Sequence, residues 1–107
     1  KTSLTFVSDI VDGMMKLMAA PAGTGAMNFG TDYEYNLAEV AKKIIEETKS
    51  ESKITYESPL PFITELGIPD LVKAKETIGW FPLVTLDDGL KQTIDYTIAN
   101  QGRLGIA

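Results

Sequence analysis

The side chains that most often do acid–base, nucleophilic or metal chemistry are thinly supplied in this sequence, which contains neither His nor Cys. That removes imidazole general bases, thiolate nucleophiles, disulfides, and metal sites built on imidazole or thiolate. For nucleophilic catalysis only Ser–Lys or Thr–Lys pairs remain, and no spacing singles one out. Paired carboxylates are the next possibility, since two acids at a suitable separation can hydrolyse a glycosidic bond. The candidates are Asp9 with Asp12, Glu46 with Glu47, and Asp87 with Asp88. Asp9, Asp87 and Asp88 fall in expected first turns of helices, where an acid stabilises the helix dipole. Glu46 and Glu47 fall on a polar helix face. All three pairs read as structural, and no catalytic residue is assigned.

Binding chemistry is also sparse. Asp32, Glu34 and Asn36 alternate like the opening of a calcium loop. The glycine and glutamate such a loop needs further on are replaced by Leu37 and Lys43, so no metal site is expected. Gly23, Gly25 and Gly30 precede an expected strand, whereas a dinucleotide loop follows a strand and opens a helix. No cofactor-binding residue is assigned on that ground. Phe29, Tyr33, Tyr35, Phe62, Trp80 and Phe81 could line a pocket for a sugar or base, although Trp80 beside a helix end reads as a core anchor. The proline-rich stretch from Pro59 to Pro69, with apolar Phe62, Ile63, Leu66 and Ile68, is either a functional loop or one packed onto the domain. Substrate-contacting residues are left unassigned.

The elements that must position these residues follow from periodicity. The 107 residues suit one small domain, with 44% hydrophobic and 23% charged residues. The expected order is β-α-β-α-β-α-α: an α/β fold with three short strands and three or four helices. Strands are expected at residues 4–7, 26–30 and 53–57. A helix capped by Ser8 or Asp9 carries Ile10, Met14, Leu17 and Met18 at helical spacing, and its three methionines read as apolar packing rather than a soft binding surface. A second begins at Asn36, with Glu39 in the capping-box position and Leu37, Val40, Ala41, Ile44 and Thr48 on one face. Its charged face reads as solvated. Asp70 caps a short third helix that ends at Gly79. Thr85 and Asp88 form a further capping box, ahead of Leu86, Leu90, Ile94 and Ile98. Gly102 and Gly105 suggest a frayed tail.

The net charge is −5, and of the ten basic residues only Arg103 is an arginine. The bases are scattered, so nucleic-acid binding is not expected. No segment reaches the roughly 18–20 apolar residues of a membrane helix, and no signal peptide is expected, since no basic start leads into an apolar core. The chain opens at Lys1 rather than Met, as a fragment, a processed product or a trimmed chain would.

Three stretches carry a family resemblance. They are Leu-Thr-Phe-Val-Ser-Asp-Ile-Val-Asp-Gly at 4–13, Met-Asn-Phe-Gly at 27–30, and Pro69-Asp70 through Trp80-Phe81-Pro82 followed by Thr85-Leu-Asp-Asp-Gly-Leu90. Together they resemble the C-terminal part of the extended short-chain dehydrogenase/reductases, in the branch of NAD-dependent nucleotide-sugar epimerases and dehydratases. The decarboxylases of UDP-glucuronate and the 4,6-dehydratases of dTDP-glucose are nearest. The resemblance implies that residues 1–107 form a single substrate-binding lobe of a Rossmann-type enzyme, without the N-terminal dinucleotide-binding domain. It implies no cofactor in this chain, and NAD in the complete enzyme, where the sugar is transiently oxidised and the cofactor regenerated. It further implies a cytoplasmic protein that binds a nucleotide-sugar and associates with itself or with an N-terminal Rossmann half.

The family's Tyr-x-x-x-Lys pair is absent, because Tyr33, Tyr35, Tyr56 and Tyr96 are followed four residues on by Leu37, Glu39, Leu60 and Asn100. The family's two diphosphate-pairing arginines correspond to Thr2 and Gly67, with Lys1 as a nearby point charge, and its acid pair corresponds to Phe62-Ile63. The alternative reading is a free-standing, non-catalytic binding or assembly module that kept the fold.

Overall fold

The structure, a computed structural model, describes residues 2–62 and 67–105. Five helices occur among them in the order α1 (Val7–Met18), α2 (Leu37–Thr48), α3 (Val72–Ile78), α4 (Leu86–Ala99) and α5 (Gln101–Leu104). Three of the four expected caps have the chemistry that the sequence suggests. Asn36 accepts from the Ala38 amide at 2.9 Å, and Thr85 accepts from Asp88 at 3.2 Å. Asp70 accepts from Val72 at 3.0 Å, and Gly79 closes α3 in the left-handed region at φ 66°. Each satisfies an amide that a helix end leaves without an internal partner. The tail is not simply frayed: it forms the single turn α5, ended by Gly105 at φ 71°.

The first helix departs from expectation. Its cap is Phe6, with no side-chain hydrogen bond, so neither Ser8 nor Asp9 caps it. Asp9 lies inside the first turn and is only 5% exposed. Its carboxylate accepts from the amides of Leu83 at 3.1 Å and Val84 at 3.0 Å. Its backbone carbonyl accepts the indole N–H of Trp80 at 2.8 Å. One residue thereby fastens α1 to the segment joining α3 and α4.

The three expected strands do not form. Among the described residues the only strand-like pairing is an isolated antiparallel bridge between Thr2 and Tyr35, with amide–carbonyl distances of 2.9 and 2.7 Å. Residues 4–6 run past Thr31 through hydroxyls, Thr5 to Thr31 at 3.0 Å and Thr31 to the Leu4 carbonyl at 2.7 Å, before Val7 turns into helix. Residues 26–30 are held from the side by Lys73, which donates to the Ala26 carbonyl at 2.7 Å. Residues 53–57 keep their alternation but leave Tyr56 81% exposed. A period of two states which side chains share a face, but a strand also needs a neighbour to take its backbone groups, and among the described residues none pairs with these three segments.

The core is small. Leu71, Ala74 and Trp80 are buried together with Met27, Phe29 and Ile78 packed against them. The Phe29 ring meets Trp80 edge-on, centroids 4.9 Å apart at 64°. Gly13 faces this pair: a Cβ there would lie 2.9 Å from Phe29 and 3.0 Å from the Trp80 indole nitrogen. Gly13→Ala is therefore expected to overpack the junction and lower stability by about 1–3 kcal/mol in urea denaturation. Gly102→Ala, with open space around the position, serves as the control.

Candidate substrate-side surface

The carboxylate pairs do not converge. Asp9 is buried in its two amide bonds, while Asp12 faces outward and pairs with Lys16 at 3.2 Å one helical turn on. Glu46 and Glu47 are exposed on α2. Asp87 pairs with Lys43 across the α2–α4 contact at 2.7 Å, and Asp88 lies in the Thr85 cap. The hydrogen bond and charge of Asp87 hold the Lys43 ammonium above the ordinary lysine value of 10.5. Any contribution from this pair is present below that value and fades as pH rises through the raised one. Both partners are exposed, so salt screens it.

Asp32, Glu34 and Asn36 do not gather into a cation site. Asn36 is occupied by its cap, and no group of three or more Asp or Glu residues among the described residues could hold a metal ion. Gly23 and Gly25 adopt φ of 87° and 83° in a turn, and Gly30 is closed by Pro69, whose Cγ would lie 2.9 Å from an added Cβ. No strand leads into these glycines and no helix opens from them, so the residues present do not fit the pyrophosphate of a dinucleotide.

The aromatic residues divide. Trp80 is fully buried with Phe29 beside it, as a core anchor should be. Tyr33 and Tyr35 pair at 4.7 Å and, with Asn36, Glu39, Lys43 and Asp87, line an open cleft of about 320 Å³. Phe81 is half exposed and Phe62 wholly so. The Pro59–Pro69 stretch packs down at its Pro69 end, against Gly30, while Leu60, Phe62 and Ile68 are exposed. Ile63 and Leu66 lie outside the described residues. So does Lys1. The methionines of α1 differ from expectation too. Met14, Met15 and Met18 are exposed, Met18 to 84%.

The positions of the two family arginines can be placed. Thr2 is held by its backbone bridge to Tyr35, and Gly67 has nothing within 4 Å of where a Cβ would stand. Neither offers a charge to a diphosphate. The residue that sequence reasoning missed is Asp9. A usable signal was its spacing of four from Gly13, which puts a carboxylate and a missing side chain on one helix face.

No family model matches the chain. Among curated proteins it is 38% identical over 88 residues to UDP-glucuronic acid decarboxylase 6 of Arabidopsis thaliana, covering 82% of this chain and 25% of that protein. It is 33% identical over 91 residues to UDP-glucuronic acid decarboxylase 1 of Xenopus tropicalis, covering 85% and 21% respectively. GDP-L-fucose synthase 1 of Arabidopsis thaliana is 31% identical over 94 residues. Among solved structures, the Bordetella bronchiseptica enzyme WbmF in complex with NADH superimposes with a TM-score of 0.81 at 27% identity, over 97% of this chain and 31% of that one. WbmF with NAD+ and UDP matches equally well. The chain thus spans about a quarter of the length of the curated relatives it matches. With UDP-glucuronic acid decarboxylases as homologues and WbmF as structural neighbour, the chain is related to a portion of the extended short-chain dehydrogenase/reductases of the nucleotide-sugar branch.

Proposed function

We propose that this chain is the C-terminal, substrate-side portion of an NAD-dependent nucleotide-sugar epimerase, dehydratase or decarboxylase, and that it has no turnover by itself. The observation that carries this reading is the match of 97% of the chain to 31% of an enzyme whose structures hold NAD+ and UDP. The chemistry of the residues agrees. No Tyr-x-x-x-Lys pair and no dinucleotide loop stand here, so oxidation, reduction and proton transfer belong to a dinucleotide-binding half. This portion contributes the wall that closes over the sugar nucleotide.

A second reading, a non-catalytic binding or assembly module, is favoured by one observation: Thr2 and Gly67 stand where guanidinium forks would grip a diphosphate. Calorimetry with UDP separates the two. The enzyme-derived reading expects weak, saturable binding that tightens about 10-fold or more in Thr2→Arg/Gly67→Arg, since one charge-assisted hydrogen bond contributes roughly 1.5–3 kcal/mol. No heat of binding from either protein would favour the module.

A further inference from the structure

Helix α1 packs one side on the domain and carries a second, apolar stripe on the other. Ile10, Leu17, Asp9 and Gly13 face the domain, where Asp9 and Gly13 are buried. Val7, Val11, Met14, Met15 and Met18 follow the spacing i, i+4, i+7, i+8, i+11, which confines them to a stripe about 100° wide on the far side. These five are between 47% and 84% exposed. Ser8, Asp12 and Lys16 separate the stripe from the buried side along one edge. An apolar stripe of this width is the face that a helix packs against another body. At its Val7 end the stripe continues into an open groove of about 560 Å³ formed by Phe6, Val7, Gln92, Thr93 and Tyr96.

The area of the whole molecule shows how open it is. A compact 11.7 kDa protein exposes about 5,900 Å², whereas this chain exposes 8451 Å². Its radius of gyration is 16.8 Å, against about 13 Å for a compact chain of this length. The excess, roughly 2,500 Å², is shared among the α1 stripe, the Tyr96 groove and the extended loop and tail segments, and exceeds the ~800 Å² per side of a standard transient interface.

We infer that the α1 stripe, with the Tyr96 groove, is the seam on which the dinucleotide-binding half of the same enzyme seats. This inference rests on the function proposed above. A second copy of so small a chain is the poorer occupant. A second copy brings the same open surface to the contact, so much of the excess would stay exposed. A body with the remaining length of the relatives, of which this chain is about a quarter, can cover both stripe and groove.

Methionine oxidation reads the seam directly, because susceptibility follows exposure. The polypeptide is isolated from its source cells, pulsed with hydrogen peroxide and compared by peptide mass spectrometry with the 107-residue chain. In the short chain Met14, Met15 and Met18 oxidise readily, while Met27, packed against the core, is the internal control. The expected result is a longer native polypeptide in which Met14 and Met18 oxidise about 10-fold more slowly or less. A longer polypeptide with these methionines as reactive as in the short chain overturns the seam and leaves the proposed function standing. A native product of this length with reactive methionines overturns both. A native product of this length with protected methionines and twice the mass in sedimentation assigns the stripe to a second copy, and the seam is wrong.

Discussion

Trp80→Ala is expected to leave the chain without a cooperative fold at 25 °C. Among the described residues Trp80 is the one large side chain that is fully buried, in a core whose other buried apolar members are Val40, Leu71 and Ala74. Truncating a buried tryptophan costs about 3–5 kcal/mol through lost transfer energy and the cavity left behind. The Asp9 carbonyl would also lose its indole donor. A small chain with so little buried surface has a stability near the lower end of the usual 5–15 kcal/mol, so a loss of this size removes most of it. Urea titration followed by far-ultraviolet circular dichroism is the test. Trp80→Phe should keep a cooperative transition, because a ring still meets Phe29. An alanine variant with a cooperative transition at nearly the parent's urea midpoint would show that the Trp80 cluster is not what holds the helices together.

Asp9→Ala is expected to destabilise by about 3 kcal/mol, through the two amide hydrogen bonds that its carboxylate accepts from Leu83 and Val84. Bonds to a charged acceptor contribute about 1.5–3 kcal/mol each, and their loss leaves two part-buried donors without a partner. Asn retains one acceptor oxygen, so Asp9→Asn should fall between parent and alanine. Asp12→Ala, three residues on but exposed and paired only with Lys16, should stay within about 0.5 kcal/mol. Equal effects of Asp9→Ala and Asp12→Ala would mean that Asp9 acts merely as a first-turn acid on the helix dipole.

What the sequence disclosed was local. The caps at Asn36, Thr85 and Asp70 and the left-handed Gly79 involve partners within a few residues, so residue type and spacing suffice to find them. The role of Asp9 was hidden because its partners lie 74 and 75 residues away, while an acid in a first turn already has an adequate local explanation. The strands failed for a related reason. The alternation of residues 53–57 is real, but Tyr56 is exposed because no neighbour receives that segment. Helical spacing likewise grouped Met14 and Met18 without stating what covers them. In each case a side-chain pattern is written in the chain that carries it, and the surface it fits belongs elsewhere. The candidate site was legible mainly as losses: no Tyr-x-x-x-Lys pair, and Thr2 and Gly67 at the places of the two arginines.

If the proposed function holds, these residues work as one portion of a larger NAD-dependent enzyme. The most direct measurement is the mass of the native polypeptide in its source cells, detected with an antibody raised against this chain. The expected result is a polypeptide several times larger than 11.7 kDa, in keeping with the quarter of its relatives' length that the chain spans. A stable product near 11.7 kDa would contradict it and leave the binding or assembly module as the reading to pursue.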